Sequence, residues 1–144
     1  MKLLIDADGC PVVDICIKIC GQNKIECLII CDTAHEFNRE GAVTVTVEKG
    51  VDSVDFKLVN MISKGDIVVT QDYGLAAMCL ARSAVVLNQD GMVYDENNID
   101  RLLDYRHTAK KIRNAGGRLS GPSKRKPEQN ETFTLRLIDI INSR

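Results

Sequence analysis

The sequence predicts an α/β protein, a three-layer α/β/α sandwich around a mainly parallel sheet of about five strands, with a basic helical extension at its C-terminal end. Two observations carry that expectation. Short β-branched apolar runs alternate with amphipathic helical stretches across residues 1–115, with no internal repeat. At 144 residues the chain is also long enough to bury one full core without disulfide or metal staples.

Taken in order, KLLID (2–6) reads as a buried strand. Pro11 then opens a helix, PVVDICIKICGQ, with proline in the first turn where its missing N–H costs nothing. IECLIIC (25–31) is a second strand, followed by the polar stretch DTAHEFNRE. AVTVTV (42–47) alternates like a strand with one more polar face. DSVDFKLVNMISKG is a helix capped by Asp52 or Ser53, with Val54, Leu58, Met61 and Ile62 as its apolar stripe and Gly65 at its C-terminal turn. DIVVT (66–70) is the clearest strand. It turns directly into the helix QDYGLAAMCLARS, and AVVL (84–87) forms the next strand. NIDRLLDYRHTAKKIRNAG is a long helix starting near Asn98. The Gly-, Pro-, Ser-, Lys- and Arg-rich segment 116–129 reads as a mobile basic loop. Residues 130–144 form a last helix, whose Phe133, Leu137, Ile140 and Ile141 dock on the 1–115 domain.

No stretch approaches the ~20 apolar residues of a membrane span. A strand-like start carrying Asp6 does not read as a signal peptide, so the expected location is the cytoplasm. Six cysteines (10, 16, 20, 27, 31 and 79) include no CxxC pair, and the only histidines are His35 and His107. That spacing reads as small buried apolar residues in a reducing compartment, with a zinc or redox site the less favoured option.

The net charge of -1 conceals a polarity. Residues 1–100 hold 16 acids against 8 bases, whereas residues 101–144 hold 11 bases against 4 acids. An acidic body with a basic end points to an anionic partner.

Parallel sheets collect ligands beyond the carboxyl ends of their strands, where the strand order reverses. Asp6 and Asp8 follow the first strand, Asp72 follows DIVVT, and Asp52 and Asp55 lie in the first turn of the helix before it. If the first strand and DIVVT are neighbours, Asp6, Asp8 and Asp72 meet and Asp55 approaches from its helix. Clustered carboxylates repel one another, and no lysine or arginine adjoins either motif in sequence. Mg²⁺ or Mn²⁺ is the natural counter-charge, able to activate water and neutralise a phosphodiester. Each aspartate alone reads more readily as a turn residue or N-cap than as a catalytic group, and the claim rests on their convergence. Asp14, Asp32, Asp66, Asp90, Asp95 and Asp100 are read that way or as surface residues.

Nine bases lie between 101 and 126, with Asp104 the sole acid among them. Arg106, Lys110 and Arg113 fall along one helical face. With His107, Arg118, Lys124, Arg125 and Lys126 they are the candidate nucleic-acid contacts. A solvated helix face is the alternative. Aromatic residues are scarce and tryptophan is absent, so a base-stacking platform is not expected.

IDADGCPV, VDSVDFKLVNMISKGDIVVTQDYGLAAMCLARSAVVLN, NIDRLLDYRH and the late Gly121-Pro122 together resemble the YaiI/YqxD family of uncharacterised bacterial proteins, over nearly the whole chain. The resemblance implies a PIN-like domain, a class with many Mg²⁺- or Mn²⁺-dependent ribonucleases. It makes Asp6 similar to the first-strand acid of such nucleases, Asp55 to the acid on the helix before the fourth strand, and Asp72 to the late-strand acid. Thr70 would be the neutral hydroxyl beside Asp72, Asp52 a further supporting acid, and Asp8 an added ligand. Asp90 is the weak candidate for a fourth acid.

The expected function is therefore a metal-dependent nuclease acting on RNA. Two alternatives stand beside it. IDADG also resembles the DxDG loop of haloacid-dehalogenase phosphatases, where Asp6 would be the nucleophile and Asp8 the general acid/base. That fold also needs a lysine and a late acid pair, which VVTQD lacks. The other alternative is a non-catalytic module that binds metal and nucleic acid.

Overall fold

A computed structural model of the protein describes residues 1–32, 37–48, 53–117 and 124–143. The elements are β1 (Lys2–Asp6), α1 (Val13–Asn23), β2 (Glu26–Asp32), β3 (Val43–Val47), α2 (Ser53–Asn60), β4 (Ile67–Val69), α3 (Tyr73–Ala81), β5 (Val85–Leu87), β6 (Val93–Tyr94), α4 (Glu96–Asn114) and α5 (Pro127–Asn142). The six strands form one sheet in the order β3-β2-β1-β4-β5-β6. All neighbours pair in parallel except β5 with β6.

Because side chains alternate along a strand, each central strand feeds two cores. Leu3, Ile5, Ile29, Ile67 and Val69 face a core completed by Cys16 and Ile19 of α1 and by Phe133 and Leu137 of α5. Leu4, Leu28, Ile30, Val68 and Val86 face the other, completed by Leu58 of α2, Leu75 and Cys79 of α3, and Ile99 of α4. The result is the three-layer sandwich that the alternating pattern predicts.

The cysteines are free thiols, and five of the six are buried. Burial pushes the Cys16 and Cys79 thiols up, and burial likewise carries Cys10 to about 11. These thiols act as small apolar side chains rather than nucleophiles.

Several boundaries differ from the sequence reading. Helix α1 begins at Val13, because residues 11–12 form a turn that follows a first turn, closed by Cys10 N donating to Ala7 O at 3.0 Å. Helix α4 begins two residues before Asn98, which is not its cap but the far member of a capping box. Asp95 Oδ1 accepts from Asn97 N and Asn98 N, both at 2.8 Å, while Asn98 Oδ1 accepts from Asp95 N at 2.9 Å.

Strand β6 was not anticipated, since two residues carry no periodicity. It is set by the turn before it, where Asn88 Oδ1 accepts from Asp90 N and Met92 N at 2.9 Å each. Gly91 in that turn has φ +87 and lies against α5. A Cβ there would stand 3.1 Å from Thr132 O and 3.3 Å from Phe133 Cα, so glycine is needed for both conformation and space.

Helix α5 opens at Pro127, which shortens the expected 116–129 loop, and residues 118–123 lie outside the described residues. Arg125 in front of it is fixed rather than loose. Its Nη1 meets Asp90 Oδ1 at 2.7 Å, its Nη2 donates to Gln89 O at 2.7 Å, and its Nε donates to Asn130 Oδ1 at 2.8 Å. The guanidinium thus ties the β5–β6 turn to the start of α5.

Asp66, expected in a turn, at a cap or on the surface, is 1 % exposed. It leads into β4 at the amino edge of the sheet. Burial raises its pKa, but hydrogen bonds from Lys2 Nζ at 2.6 Å, Ser63 N at 2.7 Å and Lys2 N at 3.1 Å outweigh burial and hold the carboxyl below its ordinary value. Its stabilising contribution is present above the ordinary carboxylate pKa and is lost as pH falls through the lowered one. Asp66→Asn is expected to cost about 2 kcal/mol at neutral pH, less than a fully buried pair because Lys2 is partly exposed. The difference from wild type, read by urea denaturation, shrinks in acid.

Candidate active site

Strand order reverses between β1 and β4. The β1–α1–β2 crossover packs on one face of the sheet, while α2, leading into β4, packs on the other. That leaves a crevice above the carboxyl ends of β1 and β4. Register pairs Ile5 with Val69, so Asp6 and Thr70 follow at the same level. Thr70 Oγ1 donates to Asp6 Oδ2 at 2.8 Å and accepts from Asp72 N at 3.0 Å, linking the two strand ends through one buried hydroxyl. Tyr94 OH donates to Thr70 O at 3.1 Å and braces that end of β4 from β6.

Beyond Asp6 the ladder runs one residue further, with Ala7 N donating to Ile30 O at 3.1 Å. The chain then turns through Gly9, whose φ of +73 suits glycine. Gln71 Nε2 donates to Gly9 O at 2.9 Å and pins this turn to the end of β4. Asp72 caps α3, its Oδ1 accepting from Leu75 N at 3.1 Å. Asp55 stands in the first turn of α2.

These elements enclose a cleft of about 590 Å³ lined by Asp6, Asp8, Asp55 and Asp72. Helix α4 adds Tyr105, Arg106, Ala109 and Arg113 to the same lining. The Asp6 carboxyl is raised to about 6, mainly by burial and further by the charges of Asp55, Asp72 and Asp8, with the Thr70 bond acting against the rise. Asp6 therefore senses all three other acids. Hard carboxylate oxygens held in mutual repulsion match the donor preference of Mg²⁺ and Mn²⁺. In this conformation no three His, Cys, Asp or Glu side chains among the described residues stand close enough to share one ion. At the mouth of the cluster Arg106 Nη1 lies 3.5 Å from Asp72 Oδ1.

The expected site residues divide accordingly. Asp6, Asp8, Asp55 and Asp72 share the cleft and Thr70 joins two of them, while Asp52 lies outside the described residues. Of the basic candidates, Arg106 and Arg113 line the cleft. His107, Lys110, Lys124 and Lys126 are exposed but not part of its lining, Arg125 is held by Asp90, and Arg118 lies outside the described residues. Tyr73, Tyr105 and Gln71 were missed as lining residues. The spacing of Tyr105 and Ala109, one helical turn apart, was the available signal for the inward face of α4.

The sequence pattern of the uncharacterised YaiI/YqxD family matches residues 4–143. The chain belongs to the YaiI/YqxD family. Among its relatives is a UPF0178 protein of Exiguobacterium sibiricum, 53% identical over 92% of this chain and 91% of the relative. One from Ruminiclostridium cellulolyticum is 51% identical over 98% of this chain and 92% of the relative. Another, from Clostridium acetobutylicum, is 44% identical over 98% and 97%. No solved structure gives a significant match. Within the described residues of this YaiI/YqxD protein, no helix is long and apolar enough to cross a membrane.

Proposed function

We infer that this protein is a divalent-metal-dependent phosphodiesterase that cuts RNA in the cytoplasm. The observation that carries this reading is the composition of one cleft. Four aspartates come from β1, α2 and β4 and their turns, and two arginines come from α4. An anionic polymer needs cationic groups to hold its phosphates, and a cluster of carboxylates repels it unless a cation intervenes.

Asp6, Asp8 and Asp72, with Asp55 beside them, would hold Mg²⁺ or Mn²⁺, which when bound supplies an activated water and neutralises charge on the phosphodiester. The chain's own part is positioning. Thr70 orients Asp6 and the Asp72 backbone together, and the Leu75 N–H orients the Asp72 carboxylate. Arg106 and Arg113, two helical turns apart, offer guanidinium forks to successive phosphates. The phosphatase alternative lacks support here, because no lysine is among the described residues lining the cleft.

Calorimetric titration with Mn²⁺, alongside a panel of end-labelled RNAs, tests the proposal. Cleavage should require Mn²⁺ or Mg²⁺. Asp72→Asn should weaken Mn²⁺ binding and cleavage by more than about 100-fold, whereas Lys124→Ala should retain both. Absence of Mn²⁺ binding would sink the reading. RNA binding without cleavage would select a non-catalytic module. Turnover of p-nitrophenyl phosphate through an acid-labile phosphoaspartate at Asp6 would select the phosphatase.

A further inference from the structure

We propose that Arg106 is a built-in counter-ion of the cleft, holding Asp72 until a divalent cation displaces it and then turning to a substrate phosphate. The inference rests on the metal-dependent reading above and assigns the step that readies the site.

Three observations support it. The Arg106 guanidinium reaches from the middle of α4 to the N-cap of α3, placing Nη1 3.5 Å from Asp72 Oδ1. The approach is uncrowded because residue 74 has no side chain. A Cβ on Gly74 would stand 3.1 Å from Arg106 Nη1 and 3.3 Å from Asp72 Oδ1. The same guanidinium borders both the 590 Å³ cleft and an adjoining recess of about 290 Å³ that Asp55 and Asp72 also line. It therefore stands where the acidic cluster opens outward.

The pair is built to exchange. Both side chains are well exposed, at 61 % and 39 %, and a contact of 3.5 Å between such groups is weak. One guanidinium offsets one unit of the cluster's charge, whereas a divalent cation brings twice that and prefers carboxylate oxygen. A guanidinium freed from carboxylate finds an equally good fork partner in a phosphodiester. The cleft would thus trade an internal cation for an external one, and redirect its arginine towards substrate in the same event.

The two halves of the proposal predict opposite effects of removing Arg106. With the intact chain, Mn²⁺ titrated by calorimetry should bind Arg106→Ala about fivefold more tightly than wild type, since the competing cation is gone. Gly74→Ala, whose Cβ presses on the guanidinium while keeping its charge, should bind Mn²⁺ at least as tightly as wild type. For cleavage of a labelled RNA, KM should rise about tenfold in Arg106→Ala and stay near wild type in Gly74→Ala. Thermal melts should place Arg106→Ala close to wild type, because Arg106 is exposed, and Gly74→Ala at or above it, because alanine suits a helix better than glycine. Wild-type Mn²⁺ binding with equal or weaker binding by Arg106→Ala would overturn the counter-ion role alone. No Mn²⁺ binding by wild type or either variant would remove it together with the metal-dependent reading.

Discussion

Asp6→Asn should abolish the proposed RNA cleavage and at the same time make the metal-free protein harder to melt. The loss of activity, on the order of 10²–10³-fold or more, follows from removing a charged oxygen at the strand end where the acidic cluster meets. The gain in stability follows from the raised Asp6 carboxyl, lifted from 3.8 to about 6 by burial and by the charges of Asp55, Asp72 and Asp8. A carboxyl whose folded pKa exceeds its unfolded one favours the fold while protonated, below about pH 4, and loses that contribution as pH rises through about 6. At neutral pH the wild-type protein therefore carries a penalty on the order of 2–3 kcal/mol that asparagine avoids, and asparagine Oδ1 can still accept from Thr70. Melting in EDTA should show Asp6→Asn several degrees above wild type at pH 8, with the two curves converging near pH 4. Equal melting points at pH 8 would contradict the crowded, repulsive cleft.

Phe133→Ala should be the most damaging single truncation. Phe133 belongs to α5 yet is fully buried among residues of α1 and the sheet, with Leu137 one turn further on. Truncating such a ring leaves a cavity as well as removing transfer energy, and costs about 3–5 kcal/mol, roughly 10–15 °C in melting temperature. Leu135, on the same helix but 69 % exposed, should tolerate alanine within about 0.5 kcal/mol. Urea denaturation of the two variants separates them. A small effect of Phe133→Ala would mean that α5 is dispensable to the core, contrary to its position under the β5–β6 turn.

The acids of the cleft were legible because of a topological rule. KLLID and DIVVT end in chemistry-bearing residues, and a parallel sheet gathers such ends on one edge. Once β1 and β4 are neighbours, Asp6, Thr70 and Asp72 must meet there, and their spacing of two residues along the turn does the rest. The apolar stripe of α2 was legible only in part: Leu58 is buried on the helix, but α2 stops at Asn60, so Met61 and Ile62 follow it in a turn and Ile62 is buried from there.

The basic side was only half legible. Periodicity groups Arg106, Lys110 and Arg113, but it does not say which way α4 is rolled against the body. Burial of Ala109, at 6 % exposure, turns Tyr105, Arg106 and Arg113 to the cleft and leaves His107 and Lys110 outside its lining. Arg125 stood in a run of basic residues with nothing to mark it out. Only folding brings Asp90 and Gln89, some 35 positions earlier in the chain, within its reach.

By itself, then, the sequence determined the layers, the mainly parallel sheet and the strand ends that carry aspartates, because strand alternation and crossover connections are local patterns. The pairing of β1 with β4 brought those ends together. The tertiary structure decided which cations face those aspartates. A charge's partner depends on the rotation of α4 and the seating of α5, which the burial of Ala109 and of Phe133 marks.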